Sequence, residues 1–191
     1  MSMSGISFGS IDTKKHLMVV SDDLILRRKI EFDFIKDGLG KNELSIYLTH
    51  GDIKQLESDM ANFGIDVHNY KKKGLLRVLN TGNPAEDALS FIDAVQAKIK
   101  TILPADGTLF RIVGRAMPNV GIEIAMAIQS RWEKILHTSM FEKLSGSILC
   151  TYDLTQIKAN NEWSKWLDEL KQNHHEYVIC QNGKCNLVVN C

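Results

Sequence analysis

Apolar and polar positions along this chain switch between two periods. Short apolar runs at His16–Val20, Leu44–Thr49, Leu75–Leu79, Leu109–Val113 and Ser147–Tyr152 predict strands. The stretches between them predict helices. The first starts at Ser21, a good N-cap followed by two aspartates, and stops at Gly38-Leu39-Gly40. The second spans Asp52–Phe63 and stops at Gly64. The third, Ala85–Leu103, repeats apolar residues at Ala88, Phe91, Ile92, Val95 and Ile99, with Pro84 near its start. Two more are expected over Val120–Leu144, with a break near His137-Thr138-Ser139, and over Thr155–Gln172. A hairpin closes the chain: Tyr177–Gln181 and Lys184–Val189 flank Asn182-Gly183, a strong two-residue turn signal.

Strands alternating with helices imply an α/β fold: a mostly parallel sheet with helices on both faces, three layers in all. The hairpin adds an antiparallel edge. Leu109–Val113 is nearly all apolar, as a strand covered on both faces should be. A length of 191 residues suits one domain. Residues 1–14 read as a flexible N-terminal arm and residues 15–191 as a single domain.

The junction after the first strand changes the picture. Val19-Val20-Ser21-Asp22-Asp23-Leu24 holds no glycine and no lysine. A phosphate-binding loop needs backbone amides free to wrap an anion, and two carboxylates repel one. No acidic residue stands at Val113-Gly114, where a nucleotide-burning enzyme needs one for Mg²⁺. Both absences favour binding or sensing over phosphoryl transfer.

Lys+Arg and Asp+Glu both number 23, so the net charge is zero and nothing marks a nucleic-acid surface. The Lys71-Lys72-Lys73 run is too short to change that and reads as a solvated loop. No apolar run approaches 18 residues, so no membrane span is expected. Met1-Ser2-Met3-Ser4-Gly5 lacks the features of a secretion signal, which points to a cytoplasmic protein with reduced thiols.

Several residues together carry a family likeness. A histidine opens the first strand (His16), Gly38-Leu39 closes the first helix, and Phe110-Arg111-Ile112-Val113-Gly114 precedes Trp132-Glu133. Cys150-Thr151-Tyr152-Asp153 and then Asn173-His174 are the most specific part. The chain resembles the MEDS domain, the sensory domain of methanogens, methylotrophs and the dichloromethane-responsive regulator. The resemblance implies a RecA/KaiC-like fold without a working phosphate loop and a role in sensing small molecules, often hydrocarbon derivatives. Such domains stand alone or are joined to DNA-binding or kinase modules. Neither module has residues left for it here, so the expectation is either a separate regulatory protein as partner or a protein that acts alone.

His16, Cys150, Tyr152 and His174 carry over from that pattern. Both histidines precede strands and are expected at one sheet edge. Alternation puts Cys150 and Tyr152 on one face and Thr151 and Asp153 on the other. Arg111 and Glu133 are expected to pair, orienting a polar ligand or tying strand to helix. With Asp153 these make the candidate ligand site: His16, Arg111, Glu133, Cys150, Tyr152, Asp153 and His174. The set lacks Cys-x-x-Cys and His-x-x-x-His spacing, so no metal and no cofactor is assigned. Cys150, His174 and Asp153 suggest a nucleophilic set on paper. Cys150 and Asp153 diverge, however, and a strand thiol among Ile148 and Leu149 lacks the electropositive setting of a nucleophile. No catalytic residue is assigned.

Met117, Met126 and Met140 near Asn119–Ile128 fit either ordinary core or an adaptable apolar pocket. Trp163 and Trp166 share a helix face and are expected to pack on the sheet. A two-residue turn sets Cys180 opposite Cys185, with Cα atoms roughly 4.5 Å apart, a candidate redox pair. The expectation is a non-enzymatic, self-associating sensor of a small apolar ligand. The alternatives are a docking module without ligand and a nucleotide-binding protein with an atypical site.

Overall fold

Strand β1 (His16–Ser21) runs through the middle of the protein with every residue buried. It leads into α1 (Leu24–Gly40). Then follow β2 (Leu44–Thr49), α2 (Ile53–Asn62), α3 (Val67–Lys72), β3 (Leu76–Asn80), α4 (Ala88–Ile102), β4 (Phe110–Arg115) and α5 (Ile122–Ile135). The chain finishes with β5 (Gly146–Asp153), α6 (Leu154–Ile157), α7 (Trp163–Gln172), β6 (Glu176–Gln181) and β7 (Lys184–Val189). The computed structural model describes residues 14–82, 88–103, 107–115, 121–135 and 145–190. The expected arm at 1–14 (all but Lys14), the helix start at Pro84, the break near His137-Thr138-Ser139, and Met117 and Met140 lie outside them.

The seven strands form one sheet in the order β3-β2-β4-β5-β1-β6-β7, parallel except for the antiparallel β6–β7 pair. Strand parity sorts the core into two layers. Met18, Val20, Ile46, Ile112, Ile148, Cys150 and Tyr152 meet residues of α4, α5, α6 and α7 on one face. Leu17, Val19, Tyr47, Val113 and Leu149 meet α1, α2 and the segment around Ile65 on the other. No described helix is long and apolar enough to cross a membrane.

Local chemistry moves four expected boundaries. Ser21 does not cap α1, because it continues the β1 ladder opposite Asp153 and Cys180. Asp23 caps instead, its Oδ1 accepting from the amides of Ile25 and Leu26 at 2.8 and 3.0 Å. Asp23→Ala is expected to lower stability by about 1 kcal/mol, read as a lower urea midpoint at unchanged slope; an unmoved midpoint would discount the cap. Lys71 and Lys72 are not in a loop but in the last turn of α3, with Lys71 paired to Glu57 at 2.6 Å. Residues 155–172 form two helices rather than one. Asp153 caps the short α6, and Trp163 begins α7 after a turn. Finally, β4 starts at Phe110 and extends to Arg115.

Candidate functional site

Four side chains from four separate segments meet beneath the sheet. His16 opens β1, Cys150 lies in β5, Glu133 is in the last turn of α5, and His174 stands between α7 and β6. All four are buried, Glu133 and His16 completely. His16 Nε2 is 3.1 Å from Glu133 Oε2 and 3.4 Å from Cys150 Sγ. His174 Nε2 is 3.4 Å from the same carboxylate oxygen. The two imidazole rings lie 4.1 Å apart, centre to centre.

A surrounding ring of bonds orients these groups. Tyr152 donates its hydroxyl to Glu133 Oε1, and Gln129 Nε2 donates to the same atom at 2.8 Å. Oε2 is thereby left turned toward the histidines. His174 Nδ1 sits 2.7 Å from the Leu170 carbonyl, which can only accept. That proton on Nδ1 aims Nε2 at the cluster. Trp166 packs edge-on against Tyr152 with ring centres 5.5 Å apart, and donates Nε1–H to Ser130 Oγ at 2.6 Å. It rests on α5 as much as on the sheet.

Burial shifts the titration of this group. Burial alone pushes the Glu133 carboxyl up. The His174 and His16 imidazoles, with hydrogen bonds from His16 and Tyr152, outweigh it and hold Glu133 well below the usual carboxylate range. Burial and then the Glu133 charge push the Cys150 thiol well up. Burial, Glu133 and Cys150 do the same to the Tyr152 phenol. Cys150 is therefore a protonated thiol at neutral pH as long as no cation sits beside it.

Two of the seven expected site residues lie elsewhere. Arg111 does not pair with Glu133. Its strand parity is opposite to that of Phe110 and Ile112, so it points to the α1 face, away from α5. There Nη2 meets Asp37 at 2.6 Å, Nε meets Glu43 at 2.5 Å and Nη1 donates to the Phe34 carbonyl at 3.1 Å. Asp153 faces α1 as well, pairing with Arg27 at 3.2 Å while capping α6. Between them Thr151 donates to the buried Glu31 at 2.7 Å. His16, Glu133, Cys150, Tyr152 and His174 do come together. Gln129 was missed; its one sequence signal is its position four residues before Glu133, one helical turn away.

An apolar cleft opens beside the cluster, between the sheet and α4 and α5. Leu48, Gly114 and Cys150 form its floor; Ile92, Val95, Phe91 and Trp132 are among its walls. His50 and Thr81, hydrogen-bonded to each other at 2.9 Å, stand at its rim. Cys150 borders both the cleft and the polar cluster, as does Gln129.

At the first strand–helix turn, the amides that would meet a phosphate already hold the Asp23 carboxylate. Asp22 accepts from the amide of Asn182, and its own amide donates to the Cys180 carbonyl, so the β6–β7 hairpin is fastened over this turn. Cys180 and Cys185 face each other with Cα atoms 4.1 Å apart and are joined as a disulfide. Cys150 is the free thiol among the described cysteines.

The fold has a counterpart among solved structures. The crystal structure of the KaiC-like protein PH0186 from the hyperthermophilic archaeon Pyrococcus horikoshii OT3 aligns over 92% of this chain and 78% of its own, with a TM-score of 0.63 at 13% sequence identity. This protein is thus an α/β domain of the RecA/KaiC-like class. Residues 15–174 match the family described as MEDS, "MEthanogen/methylotroph, DcmR Sensory domain", and the chain belongs to that family of sensory domains. No curated protein matches it.

Proposed function

We propose that this chain is a non-catalytic sensor that takes a small, hydrocarbon-derived molecule into the cleft beneath α4 and α5 and relays its presence to a separate regulatory protein. The observation that carries this reading is the cleft itself: apolar walls with a thiol and an amide at the inner end. Its volume is about 50 Å³, counted as the space open to the centres of water-sized molecules. One water needs roughly 10–15 Å³ by that measure, so the cleft suits a ligand of about four heavy atoms. Even ideal contacts limit so small a ligand to roughly −6 kcal/mol, a dissociation constant in the tens of micromolar. The ligand acts only through unequal affinity for two states of the domain. The self-capped first turn favours such a role over nucleotide turnover.

A thermal-shift screen tests the reading, with short alcohols, thiols and haloalkanes at millimolar concentration against ATP with Mg²⁺. A true ligand at a hundred times its dissociation constant adds about 2.7 kcal/mol, or roughly 5–10 °C. Gly114 offers a control. A Cβ placed there meets nothing within 4 Å, and the residue lines the cleft. Gly114→Val is expected to fill the cavity, keep the fold and abolish the shift. Stabilisation by ATP alone would replace this reading with a nucleotide site. A second reading, a docking module, draws on the exposed Leu187, Val188 and Val189 of edge strand β7. Silence from every small molecule, with self-association abolished by Val189→Lys, is its expected signature.

A further inference from the structure

We infer that His16, Glu133, Cys150 and His174 form a binding site for one divalent transition-metal ion of the zinc class. Each residue offers one donor atom, and the four atoms all lie within 4.8 Å of one another. A tetrahedral site with zinc-length bonds has ligand–ligand edges of roughly 3.3–3.7 Å. Three contacts are already near that value: 3.1 Å from His16 to Glu133, 3.4 Å from His16 to Cys150, and 3.4 Å from His174 to Glu133. The other edges need to contract by about 1.5 Å at most.

The supporting bonds are those a metal site requires. The His174 Nδ1–H donates to a backbone carbonyl, which presents the Nε2 lone pair to the centre. Glu133 Oε1 is held by Tyr152 and Gln129, which presents Oε2 to the centre. Two imidazoles, a carboxylate and a thiol match the borderline softness of zinc better than that of magnesium or calcium, which take oxygen ligands. On binding, the Cys150 S–H bond breaks, the sulfur keeps the electron pair as a thiolate ligand, and the proton leaves to solvent. No electron is transferred.

The competing occupant is a proton, which would make the group a carboxylate bridged to imidazolium. Cobalt titration separates the two. The full chain, reduced and stripped with chelator, is titrated with Co²⁺ and read by absorbance, with bound metal counted by mass spectrometry. The expected result is one Co²⁺ per chain, tetrahedral visible bands and a near-ultraviolet thiolate-to-cobalt band, all displaced by Zn²⁺. Cys150→Ser, nearly isosteric, is expected to lose the thiolate band while its circular dichroism is unchanged. Tyr152→Phe, which only loosens the hold on Glu133, is expected to weaken cobalt binding about 10–100-fold. Cys180→Ser with Cys185→Ser is expected to keep the band. The inference is overturned if the folded wild-type chain takes up no cobalt. It is equally overturned if the band survives Cys150→Ser or disappears with the hairpin cysteines. Gly114→Val, which closes the cleft, is expected to bind cobalt normally, so this result stands or falls separately from the ligand reading.

Discussion

Replacing Glu133 with alanine is expected to lower stability by about 3–5 kcal/mol, the range for removing one partner of a buried charged group. The carboxylate is the one acceptor shared by His16, His174, Tyr152 and Gln129, and it has no exposure to water. Its loss takes a partner from four buried polar groups at once. Glu133→Gln keeps the shape and one carbonyl acceptor, so it should fall between wild type and alanine. Urea denaturation followed by circular dichroism measures both, with the midpoint moving and the slope constant. A loss under 1 kcal/mol for the alanine variant would mean that the cluster is an ornament of the fold rather than a joint in it.

Gly146→Ala is the second large effect. A Cβ at this position would stand 2.3 Å from the Phe110 carbonyl oxygen and 2.6 Å from its ring. The carbonyl belongs to the neighbouring strand, so β4 and β5 must separate where they first pair. The expected cost is about 3 kcal/mol, at the upper end of ordinary overpacking. Phe110→Leu removes the ring contact but not the carbonyl. The double variant should therefore recover only part of the loss, as measured by the same denaturation curves. Full recovery would show that the ring alone sets the conflict.

Much of this arrangement was readable from residue order. Strand β2 was expected at Leu44–Thr49, where it lies, and the Asn182-Gly183 turn gave the register that sets Cys180 opposite Cys185. Alternation alone put Cys150 and Tyr152 on one face, and the two histidines do share the strand-start end of the sheet. The Arg111–Glu133 expectation failed because it ignored parity: an odd-numbered position in β4 faces α1, and α5 covers the even face. Helix α3 was invisible because Val67–Lys72 is short, buries no residue and depends on the Asp66 cap and on Lys71 for its hold. The four-residue cluster had no local signature. Its members are at positions 16, 133, 150 and 174, and motif spacing registers only ligands that neighbour one another along a helix or loop. What brings them together is the strand order β5-β1-β6, which no window of sequence contains.

The Cys150 sulfur and the Gln129 amide together form the partition between the greasy chamber and the charged one. From Cys150 the contacts run to His16, the first residue of β1, then through Glu133 to His174, two residues before the hairpin's first strand. Three contacts thus link the wall of the cleft to the strands that carry the terminal hairpin.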